Sequence, residues 1–129
     1  MINSFKDQNI LIIGDVILDR YLYGTVNRIS PEAPIPVVKL TRKIDIPGGA
    51  ANVACNIKTL GGNPHLISII GGYYANQDST DTQPDFYGLT LISILARDFN
   101  IPIDHILIDL NYITISKTRI IAHNQHVVR

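Results

Sequence analysis

At 129 residues, with 46% of them hydrophobic, the chain has the size of one domain and can bury one core. Eleven basic and eleven acidic residues cancel, which excludes the global basic field of a non-specific nucleic-acid binder and leaves any anion site to local groups. The single cysteine, Cys55, excludes an internal disulfide framework and a cysteine-pair metal site, and it fits a reduced, intracellular setting.

The stretch Met1 to Asp7 carries no basic segment followed by an apolar core, and the aliphatic runs are far too short to span a bilayer, so a soluble cytoplasmic protein is expected. Ile10 to Ile13 is a continuous apolar run ending at Gly14 and Asp15, the pattern of a central strand covered on both faces. Ligands of open α/β sheets bind beyond the carboxyl ends of the strands, which makes Asp15 and the nearby Asp19 candidate site residues. Asp15 would serve equally as a turn or cap residue.

From Tyr21 to Ile29 the pattern loosens into alternation, as in an exposed strand. Pro31, Pro34 and Pro36 exclude a helix over Ser30 to Pro36, and Val37 to Ile46 resumes as a second extended stretch. Strands this polar on one face suit a flap better than a core.

Pro47 to Asn52 reads as a loop turning sharply into a helix. Gly48 and Gly49 free the backbone for φ > 0 and leave no Cβ between main chain and ligand, while helix N-terminal N–H groups supply donors. Ala50, Val53, Ala54, Ile57 and Leu60 form the expected apolar stripe, with Gly61 and Gly62 as its stop. Asn52 falls off that stripe, and its amide suits a pair of sugar hydroxyls or a local cap. Two glycines and two alanines would also serve where a helix merely packs closely on a sheet.

His65 to Ile70 repeats the buried-strand pattern and ends in Gly71 and Gly72, giving a β-α-β arrangement whose crossover is elaborated by the flap. Tyr73 to Asp85, polar and without periodicity, reads as a mobile surface loop. Gly88, Leu91, Ile92, Leu95, Ala96 and Phe99 recur at helical spacing within Phe86 to Phe99. His105 to Asp109 is a short third strand, and Ile113 to Ala122 alternates as a fourth. In the latter, Lys117 and Arg119 point the same way, as an anion clamp would require and as a solvated strand face also allows.

The four histidines, His65, His105, His123 and His126, form no convincing metal-ligand set, and no metal site is expected. P-loop, nucleophile-elbow and thiol motifs are missing from the sequence.

The order of G-D-V-I-L-D-R-Y (Gly14 to Tyr21), R-I-S-P-E-A-P-I-P-V-V (Arg28 to Val38), P-G-G-A-A-N-V-A (Pro47 to Ala54) and K-T-R-I-I-A-H-N-Q-H-V-V-R (Lys117 to Arg129) resembles one family. It is similar to the N-terminal part of a D-glycero-β-D-manno-heptose-7-phosphate kinase, the kinase half of the bifunctional ADP-heptose synthesis enzyme, among the ribokinase-like (PfkB-type) sugar kinases. The resemblance implies an α/β, Rossmann-type sheet with helices on its faces plus a β-strand lid, around residues 20–46 and 113–129, and only the N-terminal part of the full domain.

By the same resemblance, Asp19, the Gly48 and Gly49 backbone and Asn52 bind the sugar, and Arg28, Lys117 and Arg119 face its phosphate. The family phosphorylates the heptose anomeric hydroxyl with ATP and Mg²⁺ on the route to ADP-heptose and lipopolysaccharide. The second Gly-rich anion hole, the catalytic Asp and the ATP elements belong to a later segment in that family. The chain by itself is therefore expected to hold no catalytic residue and to bind neither ATP nor Mg²⁺. Its expected partners are a sugar phosphate and either a second copy through the lid strands or the remaining kinase segment, with no nucleic acid or membrane. The alternatives are an inactive sugar-phosphate-binding or dimerisation module and a kinase for another sugar phosphate. Between Gly72 and Phe86 the chain departs from the family pattern with a longer polar insertion.

Overall fold

The computed structural model describes residues 6–76, 79–122 and 125–128. His123 of the His-x-x-His pair, Arg129 of the closing motif, and Gln77 and Asp78 of the polar segment lie outside the described residues. In chain order the elements are β1 (Asn9–Ile13), β2 (Val16–Ile29), β3 (Pro36–Gly49), α1 (Ala50–Thr59), β4 (Asn63–Tyr74), β5 (Thr82–Pro84), α2 (Phe86–Asp98), β6 (Ile106–Asp109), β7 (Ile115–Ala122) and β8 (Gln125–Val128). They divide into two compact units, one of the chain up to Leu18 with Ile46–Ser116, the other of Asp19–Asp45 with the chain from Lys117 onward.

β4 is the axis of the first unit. β1 pairs with its first half in parallel, from Asn9↔Asn63 to Ile13↔Ile67, and β6 pairs in parallel from Ser68↔Ile106 to Gly71↔Asp109. The parallel β1–β4 pair is made possible by a long crossover that includes α1, as the sequence predicts. Leu66 and Ile70 of β4, Ala51, Ala54 and Cys55 of α1, and Leu91 and Leu95 of α2 share one buried cluster with Val16, Leu18 and Ile101. Burial pushes the Cys55 thiol up to about 11, so it stays a protonated, inert packing group.

α2 begins where the sequence says and is capped by Asp85, whose Oδ1 accepts from the Gly88 N–H at 2.7 Å. The other oxygen, Oδ2, accepts from the Thr114 N–H at 2.8 Å, tying the helix start to the segment ahead of β7. The buried Thr114 hydroxyl accepts in turn from the Gly71 N–H at 2.9 Å. Gly71 is obligatory there, since a Cβ would run into the Asp85 carboxylate and the Tyr112 carbonyl.

Several expectations are corrected. β1 is not covered on both faces: Leu11 and Ile13 are exposed, as are Ile67, Ile69 and Leu107, which the registers place on the same side of the sheet. The buried strip of α1 is Ala51, Ala54, Cys55 and Ile57, while Val53 and Leu60 are exposed. Small residues spaced by three and four let a short helix lie close to the sheet, and the bulkier Val53 is turned outward. β4 does not stop at Gly71 but runs on through Tyr74, and the polar segment returns as β5, pairing Gly72↔Pro84, Tyr73↔Gln83 and Tyr74↔Thr82. Backbone pairing therefore takes in both ends of the segment expected to be a loop. β2 starts at Val16, earlier than the alternating stretch, so Asp19 lies inside a strand.

The second unit is a sheet in the order β3-β2-β7-β8, with β7 and β8 antiparallel and an irregularity between Ile120 and Ile121. Among its described residues only Ala122 is buried. Among all described residues, no helix is long and apolar enough to cross a membrane.

Candidate functional site

In the first unit the candidate residues gather where β1 ends and α1 begins. Gly49 is the N-cap of α1 at φ 57°, a conformation that side chains disfavour, and a Cβ there would run into the Asp15 carbonyl and come within 3.1 Å of Ile17 Cγ1. That same carbonyl accepts from the Ala50 N–H at 2.9 Å, so Asp15 fixes the helix start through its backbone while its side chain remains exposed. α1 has no side-chain cap and no acidic residue in its first turn, so no side chain of its own offsets the positive end of its dipole. Asn52 is exposed in that first turn, and Gly48 is buried just before it. The arrangement offers backbone donors, a carboxamide and close main-chain approach to a hydroxylated or anionic ligand.

A roomier cleft of this unit, about 550 Å³, is elsewhere, at the amino ends of β1 and β4 beside Asn9, Asn63 and His65. Volume does not select a site here, because open parallel sheets bind ligands at their carboxyl ends. A smaller apolar cleft of about 220 Å³ reaches Gly14 and Asp15 from Ile13, Ile67 and Leu107.

In the second unit, Asp19 accepts from Arg119 Nη1 at 2.6 Å, a link between β2 and β7. Both side chains are largely sheltered, 14% exposed for Arg119 and 19% for Asp19. The guanidinium also lies 4.8 Å above the Tyr21 ring, two residues from Asp19 on the same side of β2. The hydrogen bond to Asp19 chiefly, against an opposing effect of burial, raises the Arg119 pKa above its ordinary value, so this cation is permanent. Lys117 is half-buried two residues earlier in β7.

Arg28 is placed apart. It is exposed near the far end of β2, nine residues beyond Asp19, roughly 30 Å along an extended strand. Its neighbours in a surface cleft are Asn27, Val37 and Lys39.

The sequence reading missed two groups. Tyr21 was assigned to a strand face without a role, and Asp45 was not singled out, although Asp45 takes Arg20 at 2.9 Å and Lys43 at 3.0 Å. The i, i+2 spacing of Asp19 and Tyr21 is the signal that was available, whereas Arg119 lies a hundred residues away in sequence. Among the described residues no group of three or more His, Cys, Asp or Glu could hold a metal ion.

No protein-family model matches the chain. The bifunctional protein HldE of Vibrio parahaemolyticus is 40% identical over 126 residues, and that of Proteus mirabilis 41% over the same length. The chain is a partial relative of the HldE proteins. Each match takes in 98% of this chain but only 24% of the HldE relative, so the chain spans about a quarter of the length of those proteins. Among solved structures, a carbohydrate kinase from Agrobacterium tumefaciens superposes with a TM-score of 0.67 at 23% identity, covering 94% of this chain and 34% of that one. A ribokinase from Arabidopsis thaliana, solved with ribose and ATP, gives 0.62 at 14% identity with the same coverage. The fold is that of the ribokinase-like carbohydrate kinases, represented over about a third of their length.

Proposed function

We propose that the chain is the sugar-phosphate-binding part of an ATP-dependent heptose-7-phosphate kinase, whose product leads to ADP-heptose and the lipopolysaccharide core. The observation that carries this reading is the 40% identity to HldE over nearly the whole of this chain. Asp19 and Asn52 hold sugar hydroxyls, the Gly48 and Gly49 backbone lets the sugar approach, and Lys117 and Arg119 serve the phosphate. Arg28 is assigned to the phosphate by resemblance alone. A carboxylate and a carboxamide suit this task because adjacent sugar hydroxyls both donate and accept. In this reading the chain's own residues bind and orient the acceptor.

Calorimetry with heptose 7-phosphate tests this. The chain is expected to bind it, and Asp19→Ala and Asn52→Ala are each expected to weaken binding by about 1.5–3 kcal/mol without unfolding the protein. Wild-type affinity in both variants would remove the assignment.

The second reading is a dimerisation module, favoured by the outer strands of the second unit, where Leu40 of β3 and Val128 of β8 are exposed. A concentration-independent monomeric mass in solution would dismiss it.

A further inference from the structure

Charge is divided unevenly between the two units. Lys6, Lys58 and Arg97 are the basic residues of the first unit, and Asp19, Glu32 and Asp45 the acidic residues of the second. Of eleven of each sign, the second unit therefore holds eight cations against three carboxylates, a surplus of positive charge that its own side chains cannot neutralise. Strand alternation sorts these cations by face. Asp19, Tyr21 and Tyr23 of β2 take the guanidinia of Arg119 and Arg42 on one face. Arg20 of β2 meets Asp45 of β3 on the other, beside Lys43.

Arg28 lies an even number of residues from Arg20 along β2, and Lys39 an even number from Lys43 along β3. Both are thereby placed on the face turned away from Asp19. They share a cleft of about 410 Å³ with Asn27 and Val37. Arg20, Arg42, Lys43 and Arg119 each have a carboxylate or a ring as partner, whereas the exposed side chains of Arg28 and Lys39 have none among the described residues.

We propose that this cleft is a phosphate-binding site on the back of the sheet, separate from the sugar face. A guanidinium fork and an ammonium bring two positive charges and more donors than one carboxylate can use. A phosphate group answers with a charge of about −1.5 to −2 and three acceptor oxygens. Arg28 also lies roughly 30 Å along β2 from Asp19 and on the opposite face, so the two do not share one sugar phosphate. The site needs no sugar and stands independently of the acceptor reading above.

Inorganic phosphate titrated into the isotope-labelled chain and followed by NMR tests this, with sodium chloride at matched ionic strength as the control. Amide shifts centred on Asn27, Arg28, Val37 and Lys39 are expected to saturate with a Kd on the order of 1 mM. Arg28→Gln and Lys39→Gln each weaken binding by about tenfold, and Arg28→Lys by less, since an ammonium keeps the charge but not the fork. Asp45→Asn alters the charges of the same face outside the cleft and leaves the shifts in place. Glycerol 3-phosphate presents the same group as an ester: the site is built for an ester if the shifts saturate at lower concentration than with the free ion, and for the free ion if at higher. Shifts that chloride reproduces, that spread evenly over the basic sheet, or that survive Arg28→Gln overturn the proposal. Such a failure leaves the acceptor reading standing, because that reading is tested through Asp19 and Asn52.

Discussion

The two units of the chain are held together by different physics. The first buries a continuous apolar cluster in which Leu66, Ile70, Leu91 and Leu95 are at most 1% exposed. The second has one buried residue among those described, and its specific contacts include the Arg20–Asp45–Lys43 and Asp19–Arg119 ion pairs and the Arg42 and Arg119 guanidinia over Tyr23 and Tyr21. Apolar burial is non-directional and stabilises strongly, whereas ion pairs on a thin sheet are directional, stabilise less and leave charged groups at defined positions. The difference separates an apolar scaffold from a sheet that sets charged side chains at defined positions. Amide exchange is therefore expected to be slower in β1, β4 and β6 than in β2 beyond Asp19, β3 and β7.

The largest effect should come from the scaffold. Leu95→Ala empties space between α2 and β4 and is expected to lower unfolding stability by about 2–5 kcal/mol in a denaturant titration, with little dependence on salt. Leu107→Ser serves as its counterpart on the exposed side of the same sheet, where the change is expected to stay within about 0.5 kcal/mol while solubility improves. Equal losses from the two substitutions would mean that both faces are covered in solution.

A smaller effect should come from acid. Burial by itself would raise the Asp45 carboxyl, but the contacts with Arg20 and Lys43 outweigh it and hold its pKa below the usual value. A carboxyl depressed in the folded state stabilises above its unfolded pKa, and that contribution is lost as pH falls through the folded value. Amide protection in the second unit is thus expected to decline on acidification below about pH 4, ahead of the first unit, and Asp45→Asn should remove that dependence. Protection that falls in parallel in both units, with or without Asp45, would break the comparison.

Much of the scaffold was legible in the sequence. Ile10 to Ile13, Leu66 to Ile70 and the Leu91/Leu95 spacing each carry a local pattern that one backbone geometry satisfies, and the prolines between Ser30 and Pro36 punctuate the strands correctly. An unbroken apolar run does not say whether one face or two are covered, and this is why the exposure of Leu11 and Ile13 was missed. A short alanine-rich helix allows more than one strip to face the sheet, so the α1 stripe was misplaced. The pairing of β5 with β4 and of Asp19 with Arg119 depends on contacts distant in sequence, which no local pattern encodes. The fold family was legible only because four motifs stand in order, while the chemistry of the second unit depends on which charges meet across strands.

The proposed function gives this chain the acceptor-binding side of a sugar kinase, and the family resemblance assigns the groups that hold the γ-phosphate and deprotonate the acceptor to a later segment. Phosphoryl transfer depends on positioning and on neutralising charge, so binding of the acceptor alone is not expected to give turnover. A coupled ADP-release assay on the 129-residue chain, with heptose 7-phosphate, ATP and Mg²⁺ present and a contaminating-kinase control, tests this directly. The account predicts no turnover above the control under conditions where calorimetry records sugar-phosphate binding. Turnover that exceeds the control and disappears in Asp19→Ala would contradict it.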